Sequence, residues 1–284
     1  MSETQETHMT DRADATGFDP ELLAAVQRLA EAPTLLAALD FDGTLAPFVV
    51  DPADARALPA AQTALDRLAG LERTWVAIIS GRELSFLQSV ADPEHTKLLS
   101  GSHGAELDLQ ALGPDAHELG IRLTAEQMVL LDRAVDATRE VIERYPGAKA
   151  ELKPAGVCLH TRPMTDQSLS DAALAEMLER FEALPGLRIT PGRQVMESSV
   201  LSATKGEGVE ALIAATGAET ALFAGDDVTD EDGMRVLRPQ DVGLRVGTGQ
   251  SVAPFRVESP QALAELLGLL AQRRAQHLGR GEPG

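Results

Sequence analysis

The chain has one cysteine, Cys158, among 284 residues, so no intrachain disulfide can form. That absence suits a reducing compartment, and a cytoplasmic protein is expected. A solitary cysteine is more often a small core residue than a nucleophile, and Cys158 is given no catalytic role. No apolar run comes near the ~20 residues that a membrane span requires. Basic residues are scarce: 25 Lys and Arg face 44 Asp and Glu, for a net charge of −19. Nucleic acid rewards lysine and arginine, so this balance argues against such a partner. It argues equally against an anionic membrane surface. The surplus of acid serves solubility. If such a chain acts on an anion, its few cations, or a bound metal, must stand at the site itself.

What the chain does have is a regular alternation of apolar strands and amphipathic helices. Hydrophobic residues make up 44%, enough for one large domain or two smaller ones with a core each. Met1 to Pro20 is polar and acidic, without the basic start and apolar stretch of a signal peptide, and is expected to be a disordered tail. Glu21–Ala32 reads as a helix with Leu22, Val26 and Leu29 on one face, stopped by Pro33. Thr34–Asp40 reads as a buried strand entering a turn at Asp42-Gly43. A helix over Ala60–Leu71, a strand over Trp75–Ile79, a helix over Glu83–Val90 and a short strand over Lys97–Ser100 follow. Continuous apolar strands alternating with helices predict a parallel sheet covered on both faces. Ligands bind at the carboxyl ends of such strands.

The middle of the chain breaks the pattern. Asp108 to Gly120 reads as a loop or short hairpin, and Thr124–Tyr145 as a long helix capped by Thr124 and stopped by Pro146. A strand over Gly156–His160 and a helix over Asp171–Leu184 come next, then short strands at Leu187–Thr190 and Gln194–Glu197 around Pro191-Gly192. Two helices with short, mixed strands predict a small α+β insert. The parallel pattern resumes with a helix over Gly206–Thr216 and strands over Thr220–Ala224 and Val242–Val246. Ser259 caps a last helix with Pro260 in its first turn and Leu263, Leu266, Leu267 and Leu270 on its apolar face. The expected fold is α/β: a tail over 1–20, a Rossmann-like parallel-sheet core over 21–107 and 196–284, and an inserted α+β domain over 108–195.

Polar residues gather just after the strand ends. Asp40-Phe41-Asp42-Gly43-Thr44 places two carboxylates two residues apart where a buried strand stops. Burying unpaired charge is costly, and a bound Mg²⁺, which prefers oxygen ligands, would relieve it. Ser80-Gly81-Arg82 offers a hydroxyl and backbone amides at the next strand end, where phosphoryl oxygens can be held. Lys205 stands just before a helix start, a position the helix dipole does not favour for a cation. Gly225-Asp226-Asp227-Val228-Thr229-Asp230-Glu231-Asp232 packs acids that would repel one another without a cation. Taken singly, each has an ordinary reading. Asp-Gly is a common turn pair, Ser-Gly-Arg a plain turn, one lysine a solvated charge, and an acidic run a helix N-terminus.

Taken in order, these motifs resemble the haloacid dehalogenase superfamily of phosphatases, from about Thr34 to the final helix, and the insert between Gly104 and Gln194 resembles that superfamily's mobile cap domain. Within it the chain looks like a trehalose-6-phosphate phosphatase. Leu39-Asp-Phe-Asp-Gly-Thr-Leu-Ala-Pro47, Ser100-Gly-Ser-His-Gly104, the Lys153…His160-Thr161-Arg162 set, Pro191-Gly-Arg193 with Glu197, and Gly225-Asp-Asp-Val-Thr-Asp-Glu231 are similar to the motifs of that family. Threonine at position 161, where the family usually shows an aromatic residue, and the absence of an arginine-proline pair and a tryptophan between Ser198 and Thr204 are departures.

The resemblance implies Mg²⁺-dependent hydrolysis of a sugar phosphate, with Asp40 as nucleophile and Asp42 as acid and base. It implies Mg²⁺ held by Asp40, the Asp42 carbonyl and Asp226, with Asp227, Asp230 and Thr44 behind them. Ser80 and Lys205 would grip the phosphoryl oxygens. Gly81, Arg82, His103, Lys153, His160, Arg162, Arg193 and Glu197 would bind substrate. A functional link to the synthase that makes trehalose 6-phosphate is also implied. With 3% aromatic residues, sugar recognition is expected to rest on hydrogen bonds. Phosphatases for sucrose phosphate or mannosyl phosphoglycerate, a sugar phosphomutase, a phospho-accepting signalling domain and an inactive binding module are the alternatives.

Overall fold

A computed structural model describes residues 17–49, 51–113, 116, 118–119 and 123–280. The expected tail lies outside them up to residue 16. The first described element is α1 (Pro20–Glu31), capped by Asp19, whose side chain accepts from the Glu21 and Leu22 amides.

Strand β1 (Leu35–Asp40) is buried along its whole length because parallel neighbours flank it on both sides: β2 (Thr74–Ile79) and β10 (Thr220–Gly225). Leu35, Ala37 and Leu39 face one helical layer, while Leu36 and Ala38 face the other. This double burial is why the strand reads as an unbroken apolar run. Beyond β2 lie β3 (Leu98–Gly101), β4 (Glu106–Asp108) and β5 (Glu118–Leu119); beyond β10 lie β11 (Val242–Val246) and β12 (Phe255–Val257). The sheet order is β12-β11-β10-β1-β2-β3-β4-β5, parallel from β12 to β3 and antiparallel at β4 and β5. Chain order runs outward in both directions from β1, so the crevice at the carboxyl ends of β1 and β10 is the switch point where ligands are expected.

One face is covered by α1, α2 (Pro59–Ala69), α3 (Leu84–Val90) and α8 (Pro260–Arg280), through Leu22, Leu29, Leu65, Leu87, Leu263 and Leu267 among others. The other is covered by α6 (Lys205–Thr216) and α7 (Asp230–Arg235), through Val209, Leu212 and Met234. Arg274 on α8 is 0% exposed. Its guanidinium donates to Thr74 Oγ1 and to the carbonyls of Ala30, Ala32, Pro33 and Arg73. It ties the last helix to the entries of β1 and β2. Arg274→Ala leaves a cavity and several buried carbonyls without donors, and is expected to cost about 3 kcal/mol or more. Urea unfolding measures this; a loss below about 1 kcal/mol would mean that solvent replaces the side chain.

The insert is a four-stranded antiparallel sheet of order β6-β7-β9-β8, made of β6 (Lys149–Lys153), β7 (Gly156–His160), β8 (Arg188–Gly192) and β9 (Val195–Ser199). Helices α4 (Ala125–Arg144) and α5 (Gln167–Glu182) cover one face, closing a core of Val141, Val157, Leu159, Met177 and Phe181. Thr124 caps α4 as expected, in a reciprocal box with Gln127.

Strand pairing departs from the expected borders at 108 and 195. Asp108 and Glu118 pair within the large sheet, and the whole of Val195–Ser199 pairs within the small one, so both crossings fall further along the chain. The β4–β5 hairpin is too short to show periodicity, and β9 mixes Met196 and Ser198 inward with Glu197 outward. Strand β6, exposed along most of its length, carries no apolar alternation in its sequence because edge strands are polar. Among the described residues no helix is long and apolar enough to cross a membrane.

Candidate active site

The two acidic motifs meet at the switch point. After Asp40 the chain turns at Gly43, whose φ is +82°. A Cβ there would lie 2.2 Å from Asp226 Oδ2. Glycine is therefore required twice over, for the left-handed backbone and for the close approach of the β10 loop. Thr44 Oγ1 donates to Asp226 Oδ1 (3.3 Å), fastening the two loops together.

Lys205 opens α6 and reaches under both motifs. Its Nζ donates to Asp40 Oδ1 (2.7 Å) and Asp230 Oδ1 (2.6 Å), all three side chains being buried. Asp230 Oδ2 accepts from the backbone amides of Asp226 (3.0 Å) and Asp227 (2.9 Å). Asp230, expected behind the metal ligands, anchors the lysine and shapes the loop that carries Asp226. Asp227 accepts from the Val228 amide and faces the cavity. Thr204 caps α6 in a reciprocal box with Glu207, which fixes Lys205 at the helix start.

Charge at this point is out of balance. Burial, then the neighbouring Asp230, raises the Asp40 carboxyl well above the ordinary range. Asp226 is pushed up to about 6 by burial and then by Asp230. Burial alone would lower Lys205, but Asp40 and Asp230 outweigh it and hold the ammonium firmly charged. Oxygens of Asp40, Asp226 and Asp230 lie within 4.8 Å of one another, with one ammonium among them. Asp40 Oδ2 is buried without a hydrogen-bond partner. A hard divalent cation such as Mg²⁺ fits this oxygen-only set and would correct the deficit.

Asp42 is gripped by Arg82, expected to bind substrate: Nε to Oδ2 and Nη2 to Oδ1 are both 2.6 Å. Arg82 also donates to the Pro52 carbonyl and lies 4.2 Å over the Phe86 ring. Ser80 is buried, with Oγ accepting from the Arg82 amide (3.2 Å).

Gly81 admits His103, since a Cβ there would lie 2.5 Å from the ring. His103 has left-handed backbone (φ 58°) and its amide donates to the Ser80 carbonyl. Its Nδ1 is buried without a partner, and Nε2 is 3.9 Å from Glu197 Oε1 of the insert. Burial, then Lys205, Arg188 and Lys153, pushes the imidazole down to about 3 from its usual 6.5. The unfolded chain accepts a proton near 6.5 that the folded one refuses until about 3, so this residue removes stability as pH falls through that interval. His103→Asn, which tolerates the backbone, is expected to flatten the loss of thermal stability between pH 7 and 5. An unchanged pH profile would place the acid sensitivity elsewhere.

The insert closes the site. A cavity of about 500 Å³ is lined by Asp40, Asp42, Ser80, Arg82, Lys205 and Asp226 from the core, and by Glu151, Lys153 and Glu197 from the insert. Lys153 Nζ donates to Glu197 Oε1 (2.8 Å). The other expected sugar-binding residues lie off its wall: His160 is paired with Glu151 (2.7 Å), and Arg193 is exposed in the β8–β9 turn. Arg162 follows β7 and is also absent from the lining. Glu151, Phe48, Pro52 and Phe86 line the cavity without having been singled out by sequence. Phe48 is marked in the sequence by its place directly after the Asp40 motif and Pro47; Glu151 is not, because polar β6 has no strand signature.

A parallel sheet reversing at β1, with acids at adjacent strand ends under an inserted α+β domain, defines the haloacid dehalogenase-like fold. The Trehalose-phosphatase family model matches residues 38–265, and the chain belongs to that family. The trehalose-phosphate phosphatase of Mycobacterium marinum is 32% identical over 246 residues, which cover 82% of this chain and 60% of that protein. An uncharacterized glycosyl hydrolase of Mycobacterium tuberculosis is 34% identical over 259 residues, 84% of this chain but 18% of that protein. The chain thus spans less than two thirds of either relative. The C-terminal domain of the C. albicans trehalose-6-phosphate phosphatase shares the fold with a TM-score of 0.74 at 23% identity, covering 88% of this chain and 96% of that chain.

Proposed function

We propose that the chain hydrolyses trehalose 6-phosphate to trehalose and phosphate, with Mg²⁺, through an aspartyl-phosphate intermediate. The observation that carries this reading is Asp40: one carboxylate oxygen is held by Lys205 and the other is unpartnered, at the floor of a cavity shared by core and cap. Asp40 Oδ2 attacks phosphorus as the bond to the sugar oxygen breaks. Asp42, released from Arg82 and protonated from solvent, gives that oxygen its proton and then takes one from the water that hydrolyses the intermediate, which returns it to the acid form. Lys205 and the Ser80 hydroxyl bind phosphoryl oxygens as charge spreads over them. Bound Mg²⁺, held by Asp40, the Asp42 carbonyl and Asp226, supplies Lewis-acid neutralisation of the phosphoryl charge. Lys153 and Glu197 present a donor and an acceptor to sugar hydroxyls, and the neutral His103 lies between them and Ser80. The substrate is the product of a synthase joining two sugars, which is the functional partner this reading implies.

The test is phosphate release from trehalose 6-phosphate, sucrose 6-phosphate, mannosyl-3-phosphoglycerate and glucose 6-phosphate, with and without Mg²⁺. Preference for trehalose 6-phosphate, abolished by EDTA, is expected. Preference for another sugar phosphate would keep the chemistry and overturn the substrate.

A further inference from the structure

The face of the small sheet turned away from its helices carries a donor set of different chemistry from the aspartates. Glu151 on β6 stands directly across from Cys158 on β7, and His160 follows two residues along on the same face. A carboxylate oxygen, the thiol sulfur and an imidazole nitrogen lie within 4.8 Å of one another. Glu151 Oε2 and His160 Nε2 are 2.7 Å apart. Cys158 is buried, while Glu151 is exposed and lines the main cavity.

We propose that Glu151, Cys158 and His160 form a Zn²⁺ site on the cap, and that filling it draws Glu151 from the wall of the main cavity and so inhibits the phosphatase. Thiolate, imidazole and carboxylate together suit Zn²⁺ and disfavour Mg²⁺, which wants oxygen alone. Three protein ligands leave a fourth tetrahedral position for water. The ligands come from paired strands, so their spacing is set by the sheet rather than by a loop. Binding replaces the His160–Glu151 hydrogen bond and sends the thiol proton to solvent. Lys153, the nearby cation, is already neutralised by Glu197. Without metal, burial and then Glu197 push the thiol up to about 12, so it stays protonated and inert; a coordinated thiol is deprotonated outright. The chain would thus sort two cations by softness, Mg²⁺ to the aspartates and Zn²⁺ to the cap.

Co²⁺ is the probe, added to the folded protein in excess Mg²⁺. Cys158 is the only cysteine, so any thiolate-to-cobalt absorption band reports this site and needs no catalytic activity. A saturable near-ultraviolet band, displaced by Zn²⁺ and absent in Cys158→Ser, is expected. Glu151→Gln and His160→Gln should each weaken Co²⁺ binding at least tenfold. Absence of the band in wild type, or unchanged affinity in both ligand variants, overturns the site. In the phosphatase assay, Cys158→Ser should keep the Mg²⁺-dependent rate and raise the Zn²⁺ concentration for half-inhibition at least tenfold. Equal inhibition of both proteins would assign the effect of Zn²⁺ to the aspartates and overturn the inhibitory role. Failure of the phosphatase reading would leave the absorption result standing.

Discussion

Asp40→Asn is expected to lower turnover by roughly 10⁴-fold or more while leaving the metal-free fold at least as stable as wild type. The two effects have separate causes. Turnover is lost because the unpartnered Oδ2 becomes part of an amide, a poor nucleophile, whichever way the side chain turns to satisfy Lys205. Stability is kept because Asp40 belongs to a cluster with more anions than cations. Its carboxyl, like that of Asp226, takes up a proton more readily in the folded state than in the unfolded one. The metal-free fold therefore loses stability from this cluster as pH rises from the ordinary carboxylate range through about 6. An amide removes Asp40's share of that loss. Phosphate release and thermal unfolding, each with and without Mg²⁺, measure both effects. Near-normal turnover would sink the covalent route. A large drop in metal-free melting temperature would show that the carboxylate is needed for packing rather than chemistry.

Lys205→Met is expected to do the opposite to the fold. It leaves Asp40 and Asp230 buried without their ammonium, which for a broken buried pair costs about 3–5 kcal/mol. The loss should spread, because Asp230 also holds the amides of Asp226 and Asp227. Turnover should fall by roughly 10³-fold, since a charged donor to the phosphoryl oxygens is gone. Mg²⁺ should restore part of the stability but not the turnover. Urea unfolding at neutral pH reads the first effect and saturating-substrate assays the second. A variant as stable as wild type would mean that the carboxylates relax by taking up protons instead.

The contrast shows what sequence could reveal and what it could not. Asp40, Lys205 and Asp226 were legible because each sits where an apolar strand stops or a helix starts, and such junctions are written in consecutive residues. The β4–β5 hairpin and β6 were not, being too short or too polar to leave a periodic trace. The Ser80-Gly81-Arg82 motif marks Arg82 as a substrate-binding candidate, but its grip on Asp42 is a contact that no local pattern encodes. Arg274 left a signal of a different sort. It continues the stripe of Leu263, Leu267 and Leu270 at helical spacing, an arginine where an apolar residue is due, and it is buried there.

The chain passes from the last strand of the small sheet, ending at Ser199, to Lys205 at the head of α6 in a few residues. Any swing of the cap would therefore tug on the residue that positions the nucleophile. The Thr204–Glu207 box lies at the end of this tether. Under such a pull it would work as a strain relief does on a cable, taking up the load one residue before it reaches the lysine. A cap that swings would then leave the chemistry beneath it in register.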